Sequence, residues 1–80
     1  MSQKSIGEQR VRIEFNPSND DKVFKIKQSS AILINMIEDL KSEKSNGGKD
    51  VVSGEFIRLC SLAQTAYEEA AMWAVKAATY

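Results

Sequence analysis

Three groupings in this chain combine residue types suited to holding a small anionic ligand. The first is Lys27. At 100° per residue it falls among Val23, Phe24, Ala31 and Ile34, whereas Lys25 points into a polar face. A lysine inside an apolar sector either snorkels its ammonium to water or presents it to a buried phosphate, and position alone leaves both open. The second is "FNPS" (15–18), in which an aromatic residue precedes a turn and a helix start. Phe15 could stack on a flat ring while Asn16, Pro17 and Ser18 frame free backbone amides for a phosphate. The alternative is a hydrophobic staple, with Phe15 folded onto the first helical turn. The third is a stripe of Arg58, Ser61, Thr65, Met72, Lys76 and Thr79 beside Trp73, which is either a polar ligand face or a solvated helix surface.

Catalysis is poorly provided for. Histidine is absent and the one thiol, Cys60, lies on a small-residue strip with no base in register, the setting of an inert cysteine. Glu68 and Glu69 are adjacent and point about 100° apart, which does not make an acid/base pair. "SNGGKD" (45–50) lacks both the preceding strand and the spacing of a phosphate-binding loop. No Cys/His zinc set can be assembled. The expectation is a protein that is not an enzyme and uses no cofactor or metal.

Those side chains need elements to hold them. Residues 1–9 are polar and expected to form a flexible arm. "RVRIEF" (10–15) alternates apolar and charged residues, the period of an extended segment. "NPSNDD" (16–21) signals a turn into a helix, with Ser18 or Asn19 as cap and Asp20 and Asp21 at the positive end of its dipole. Val23, Ile26, Ser30, Leu33, Ile37 and Leu40 then step as a heptad seam. Asn46-Gly47-Gly48 marks a stop. Val52, Phe56, Leu59, Ala63, Ala66, Ala70, Trp73 and Ala77 step as a second seam. The predicted fold is all-α: an antiparallel two-helix hairpin with a short extended N-terminal arm, with helices over 18–44 and 50–79, in one domain spanning 1–80. Lys27 lies about 13 Å along the axis from the start of such a helix, and Phe15 precedes that start. They meet within one chain only if the 10–15 segment folds back; a site shared between subunits needs no such folding.

Size and charge shape the rest. An 80-residue chain with one cysteine cannot staple itself by a disulfide, so stability has to come from helix packing or from further copies of the chain. Phe24, Ala31 and Ile34 on the first helix, and Cys60, Tyr67, Ala71, Ala74 and Ala78 on the second, form strips beside the seams that would face water in a monomer. A homo-oligomeric helical bundle is therefore expected, alanines allowing close approach and Tyr67 and Trp73 filling gaps. Eleven basic and eleven acidic residues cancel, which argues against DNA or RNA polymers and anionic membranes as partners. The longest apolar run, "AILI" (31–34), is far too short to span a bilayer. The lone cysteine and the polar start suggest a reducing cytoplasm.

The stretch "FNPSNDDKVFKIK" (15–27), an apolar first helix and above all "EEAAMWAVKAAT" (68–79) carry a resemblance. Over nearly all of residues 13–79 the chain resembles the helical-hairpin domain of phage anti-CBASS sponge proteins, a hairpin also related to the C-terminal part of Thoeris anti-defence sponges. The resemblance implies a non-enzymatic protein, acting in the cytoplasm of the infected host, that sequesters cyclic nucleotide messengers and blocks CBASS immunity. It implies compact homohexamers with cyclic dinucleotides held between subunits, and in some members cyclic trinucleotides at separate pockets. On this chain the base-stacking aromatic falls at Phe15 and the phosphate-directed lysine at Lys27. The family pattern has tyrosine where this chain has Phe15, which keeps stacking and loses a phenolic hydrogen bond. For a trinucleotide pocket the matching arginine and threonine are Arg58 and Thr79, with Thr65 and Lys76 on the same stripe.

Two further readings compete. One is a sponge for a cyclic ADP-ribose-type signal, ranked second because the chain lacks the β domain of the Thoeris sponges. The other is a coiled-coil adaptor whose apolar strips dock a partner protein. A small DNA-binding protein ranks last, given the zero net charge and acid-rich second helix.

Overall fold

A computed structural model describes residues 3–16, 20–47 and 53–80. Among them the chain forms three helices and no strand: α1 (Ile6–Val11), α2 (Asp21–Gly47) and α3 (Gly54–Ala78). The all-helical expectation holds, but the N-terminal arm is neither flexible over 5–9 nor extended over 10–15. Ser5 and Glu8 form a capping box: Glu8 N–H donates to Ser5 Oγ (3.1 Å), and Ser5 N–H donates to Glu8 Oε1 (2.9 Å). Reciprocal capping satisfies two amides that a short helix would otherwise leave open. Arg12 ends α1 in the left-handed region (φ 55°). Ile13 N–H then reaches Glu8 O (3.0 Å) and Phe15 N–H reaches Arg12 O (2.8 Å), turning the chain back. The alternation of Val11, Ile13 and Phe15 comes from a helix end followed by a turn.

Asn16 and Asp20 tie this turn to α2. Asn16 Nδ2 donates to Asp20 O (2.9 Å), and Asp20 N–H donates to Asn16 Oδ1 (3.1 Å). Asp20 Oδ1 accepts from Lys22 N–H (2.8 Å), a capping bond favoured by the positive helix end. The expected caps Ser18 and Asn19 lie outside the described residues. Ser53 caps α3 through Phe56 N–H (3.1 Å). Helix limits of Asp21–Gly47 and Gly54–Ala78 stand where 18–44 and 50–79 were expected.

α2 and α3 run antiparallel. Lys44 lies over the Phe56 ring (5.9 Å), Gln64 Nε2 donates to Ile34 O (3.2 Å) and Glu38 Oε1 (3.0 Å), and Ala31 shares a core with Ala71. The buried rows differ from the seams drawn from periodicity. On α2 the inward row is Val23, Lys27, Ala31 and Ile34, while Leu33 and Leu40 are exposed. On α3 it is Cys60, Gln64 and Ala71, with Tyr67 and Ala74 half-buried, while Leu59 and Trp73 are exposed. The small-residue strip expected to face outward is therefore the strip that packs inward. The physical reason is α1, which lies on the hairpin and draws a different face of α2 into contact. It sits closest at Gly7, whose missing Cβ lets the backbone approach Ala31, and whose N–H donates to Asn35 Oδ1 (2.7 Å). Val11, Ala31, Ile34 and Ala71 form the core beneath, with Ile13 and Tyr67 against it.

The molecule measures 48 × 29 × 12 Å. With α1 laid on one side of the hairpin, apolar surface elsewhere stays open: Ile32, Leu33, Met36 and Leu40 of α2 and Leu59, Leu62, Met72 and Trp73 of α3 are exposed.

Candidate ligand-binding site

Lys27 is placed by its row. Val23 and Ala31, one turn to either side, are both buried and carry Lys27 inward with them, leaving it only 7 % exposed. Its ammonium meets the turn that follows α1: Nζ donates to the carbonyl oxygens of Arg12 (3.1 Å) and Phe15. Among the described residues no carboxylate pairs with it. Burial, and secondarily the neighbouring Arg12 charge, hold its pKa below the ordinary lysine range.

Phe15 lies beside it. The Lys27 ammonium is 5.3 Å from the Phe15 ring centroid and the Arg12 guanidinium carbon 4.3 Å, both within cation–π range. More than half of Phe15 remains exposed (54 %), so this is no hydrophobic staple folded into the core. The fold-back that a one-chain meeting of Phe15 and Lys27 requires is what the Arg12 turn supplies.

Arg10 extends the same cationic region toward α3. Its guanidinium pairs with Glu68 Oε1 (2.7 Å) and donates to Thr65 Oγ1 (3.2 Å). Between α1, its following turn and α3 lies a cavity of about 460 Å³. Arg10, Arg12, Lys27 and Thr65 line its polar side, with Glu68 and Glu69, and Val11, Ala71, Met72 and Val75 its apolar side. A neighbouring cavity of about 350 Å³ is lined by Phe15 and again by Arg12. Cations and an apolar floor in one cavity, and an exposed aromatic ring in the next, with Arg12 lining both, suit a flat, phosphate-bearing molecule. They offer no nucleophile with a base.

The remaining expected site residues fall elsewhere. Asn16 is held by Asp20, as above, and Pro17 and Ser18 lie outside the described residues. Thr65 joins the Arg10 cluster. Arg58 forms a two-point pair with Glu55 one turn away (2.9 and 2.7 Å). Lys76 lies over the Trp73 ring (5.6 Å), and Thr79 ends α3 with its hydroxyl donating to Val75 O (2.9 Å). Arg58 and Thr79 stand about 32 Å apart along α3, so one chain cannot bring them to one small ligand. Four contributors escaped the sequence reading: Gly7, Arg10, Arg12 and Asn35. The Ser5-x-x-Glu8 capping signature was the available signal for α1, and with it for the position of all four.

Comparison with known proteins decides the family. The family model described as Acb2/Tad1, hairpin domain, matches residues 6–79. The chain belongs to the Acb2/Tad1 hairpin family. No curated protein and no solved structure matches the chain. The Acb2/Tad1 family is that of the anti-CBASS and anti-Thoeris sponges, ligand-binding proteins for cyclic nucleotide signals. The matched span takes in α1, so the short N-terminal helix belongs to the domain together with the hairpin.

Proposed function

We propose that this protein sequesters cyclic dinucleotides and so blocks CBASS immunity in the infected host. The observation that carries the reading is Lys27, a cation sunk in an apolar row beside the open face of Phe15 with only carbonyl oxygens as partners. Carbonyl dipoles compensate a buried ammonium in part, and a phosphate completes the compensation with a charge-assisted contact in a low-dielectric setting. The base stacks on Phe15, and Arg10 and Arg12 add positive charge at the rim. Binding needs no chemistry, and the ligand leaves unchanged.

The protein works as a homo-oligomer, with a hexamer as the family resemblance implies. The large apolar side chains left exposed on α2 and α3 support self-association. Its accessible surface of 6045 Å² exceeds the roughly 4,800 Å² of an ordinary folded monomer of 8.9 kDa. The excess includes Leu33, Leu59 and Trp73, which further copies would cover. A second pocket for cyclic trinucleotides would draw Arg58 from one copy and Thr79 from another, since a single α3 holds them too far apart.

Calorimetric titration against cyclic di- and trinucleotides and cyclic ADP-ribose compounds, with bound ligand recovered for mass analysis, tests the function. The expected result is tight binding of at least one cyclic dinucleotide and recovery of the intact molecule. Cleaved product, or binding of none of the panel, refutes it.

A further inference from the structure

The Arg12 side chain has no role in the reading above beyond its charge, yet its geometry is specific. It is the one non-glycine residue with positive φ among the described residues (φ 55°). That conformation, uncommon for a side chain of this size, closes α1, with the Arg12 N–H donating to Gln9 O (3.2 Å). From there the guanidinium lies over Phe15, 4.3 Å from the ring centroid. Unlike Arg10 and Arg58, which are tied to Glu68 and Glu55, the Arg12 fork makes no hydrogen bond or ion pair among the described residues. Arg12 also lines both cavities, the one that holds Lys27 and the one that holds Phe15.

We infer that Arg12 is the base-reading residue of the site and selects guanine. The inference rests on the cyclic-dinucleotide reading of the adjoining Lys27 and Phe15 cavities. A guanidinium over an aromatic face keeps its N–H donors free at its own edge, in its own plane. A purine taking the open remainder of the Phe15 face stacks beside it at a similar height, so the fork meets the edge of the base. Guanine presents two acceptors on one edge, O6 and N7, which match two donors. Adenine presents N7 beside an amino donor, which opposes the second donor. With Lys27 lining the same cavity as Arg12, base and phosphate of one nucleotide can be held at the same turn. Phe15 supplies the stacking platform without discriminating among bases, so discrimination falls to Arg12.

The test is calorimetric titration of the full chain with cyclic di-GMP and cyclic di-AMP, on wild type, Arg12→Gly and Arg12→Lys. Glycine suits the left-handed backbone, so Arg12→Gly removes the fork while preserving the turn, and its melting temperature should be no lower than wild type. Wild type should favour cyclic di-GMP by about tenfold or more, the range of a bidentate arginine–guanine contact. Arg12→Gly should erase that preference by weakening cyclic di-GMP selectively. Arg12→Lys should also lose it, because an ammonium keeps the charge but not the fork. Equal affinities in wild type, an equal loss for both ligands in Arg12→Gly, or full guanine preference in Arg12→Lys would each overturn the role of Arg12 while leaving the pocket intact. Failure of wild type to bind either ligand would overturn the pocket reading and this inference together.

Discussion

Replacing Gly7 by alanine sets two physical effects of opposite sign against each other. Alanine is the better helix former, and by propensity alone the change should stabilise α1 by roughly 0.5–1 kcal/mol. Packing says otherwise. An added Cβ would stand 2.1 Å from Ala31 O and 2.7 Å from both Ala31 C and Asn35 Oδ1. Two of those atoms belong to the backbone of α2 and cannot rotate away, so α1 itself has to retreat by about 1.3 Å to restore ordinary contact. That retreat strains the Gly7–Asn35 hydrogen bond (2.7 Å) and the Asn35–Ser5 bond (3.0 Å), and it lifts Val11 from the core. Overpacking of this kind costs about 1–3 kcal/mol, which exceeds the propensity gain. The expected net loss is about 1–2 kcal/mol, read as a lower urea midpoint with an unchanged slope. The same shift moves the Arg12 and Phe15 carbonyls relative to Lys27, so ligand affinity should fall as well. A Gly7→Ala variant that is as stable as wild type and binds as tightly would refute the close approach of α1 to α2, and with it the placement of the site.

Other expectations follow from the same geometry. Trp73 is 55 % exposed in one chain, its Nε1–H donating to Glu69 (3.3 Å). Trp73→Ala should therefore leave helix content by circular dichroism unchanged yet shift sedimentation toward a smaller species, since a buried interface tryptophan commonly contributes about 2 kcal/mol or more; unchanged sedimentation would remove Trp73 from the interface. Glu38 has a pKa lowered by the Gln64 hydrogen bond first and by Lys41 and Arg10 charges next, and Glu8 has one lowered by the Ser5 backbone amide first. A lowered carboxyl pKa contributes stability that is complete above the unfolded value near 4.5 and disappears as pH falls through the folded value. Urea midpoints should thus drop below about pH 4.5, and Glu38→Gln should flatten that dependence; an equally steep fall in the variant would contradict it.

Some of this was legible in the residues and some was not. Long stretches of helix formers separated by Asn46-Gly47-Gly48 mark two long helices, and nothing local opposes that reading. The facing rows were misplaced because heptad stepping assumes that each helix has one partner. Here α1 is a third partner, and it draws the row containing Lys27 and Ala31 inward in place of Leu33 and Leu40. A seam chosen for its large apolar residues also passes over Gln64, which is 2 % exposed because its amide finds Ile34 O and Glu38. In the site, Phe15 and Lys27 stood out by position, one before a turn and the other out of place in an apolar sector. Their meeting within one chain was hidden because the end of a six-residue helix and the turn after it space Val11, Ile13 and Phe15 as a strand would. Arg12 was equally hidden, since a left-handed backbone at arginine has no signature in residue type.

The buried lysine offers the sharpest test. Lys27→Met keeps an unbranched apolar stem of similar length and removes the charge together with its hydrogen bonds to the Arg12 and Phe15 carbonyls. Because burial depresses the lysine pKa, the folded chain holds that proton less well than the unfolded one, and stability at neutral pH bears the cost. Lys27→Met should therefore remain folded, the relieved burial of the charge offsetting the two lost hydrogen bonds. A charge-assisted phosphate contact is worth about 1.5–3 kcal/mol, so titration of Lys27→Met with the cyclic dinucleotide that wild type binds best should show affinity lowered roughly 10- to 150-fold. Affinity equal to wild type in a folded Lys27→Met protein would contradict the assignment of this pocket to the ligand's phosphate.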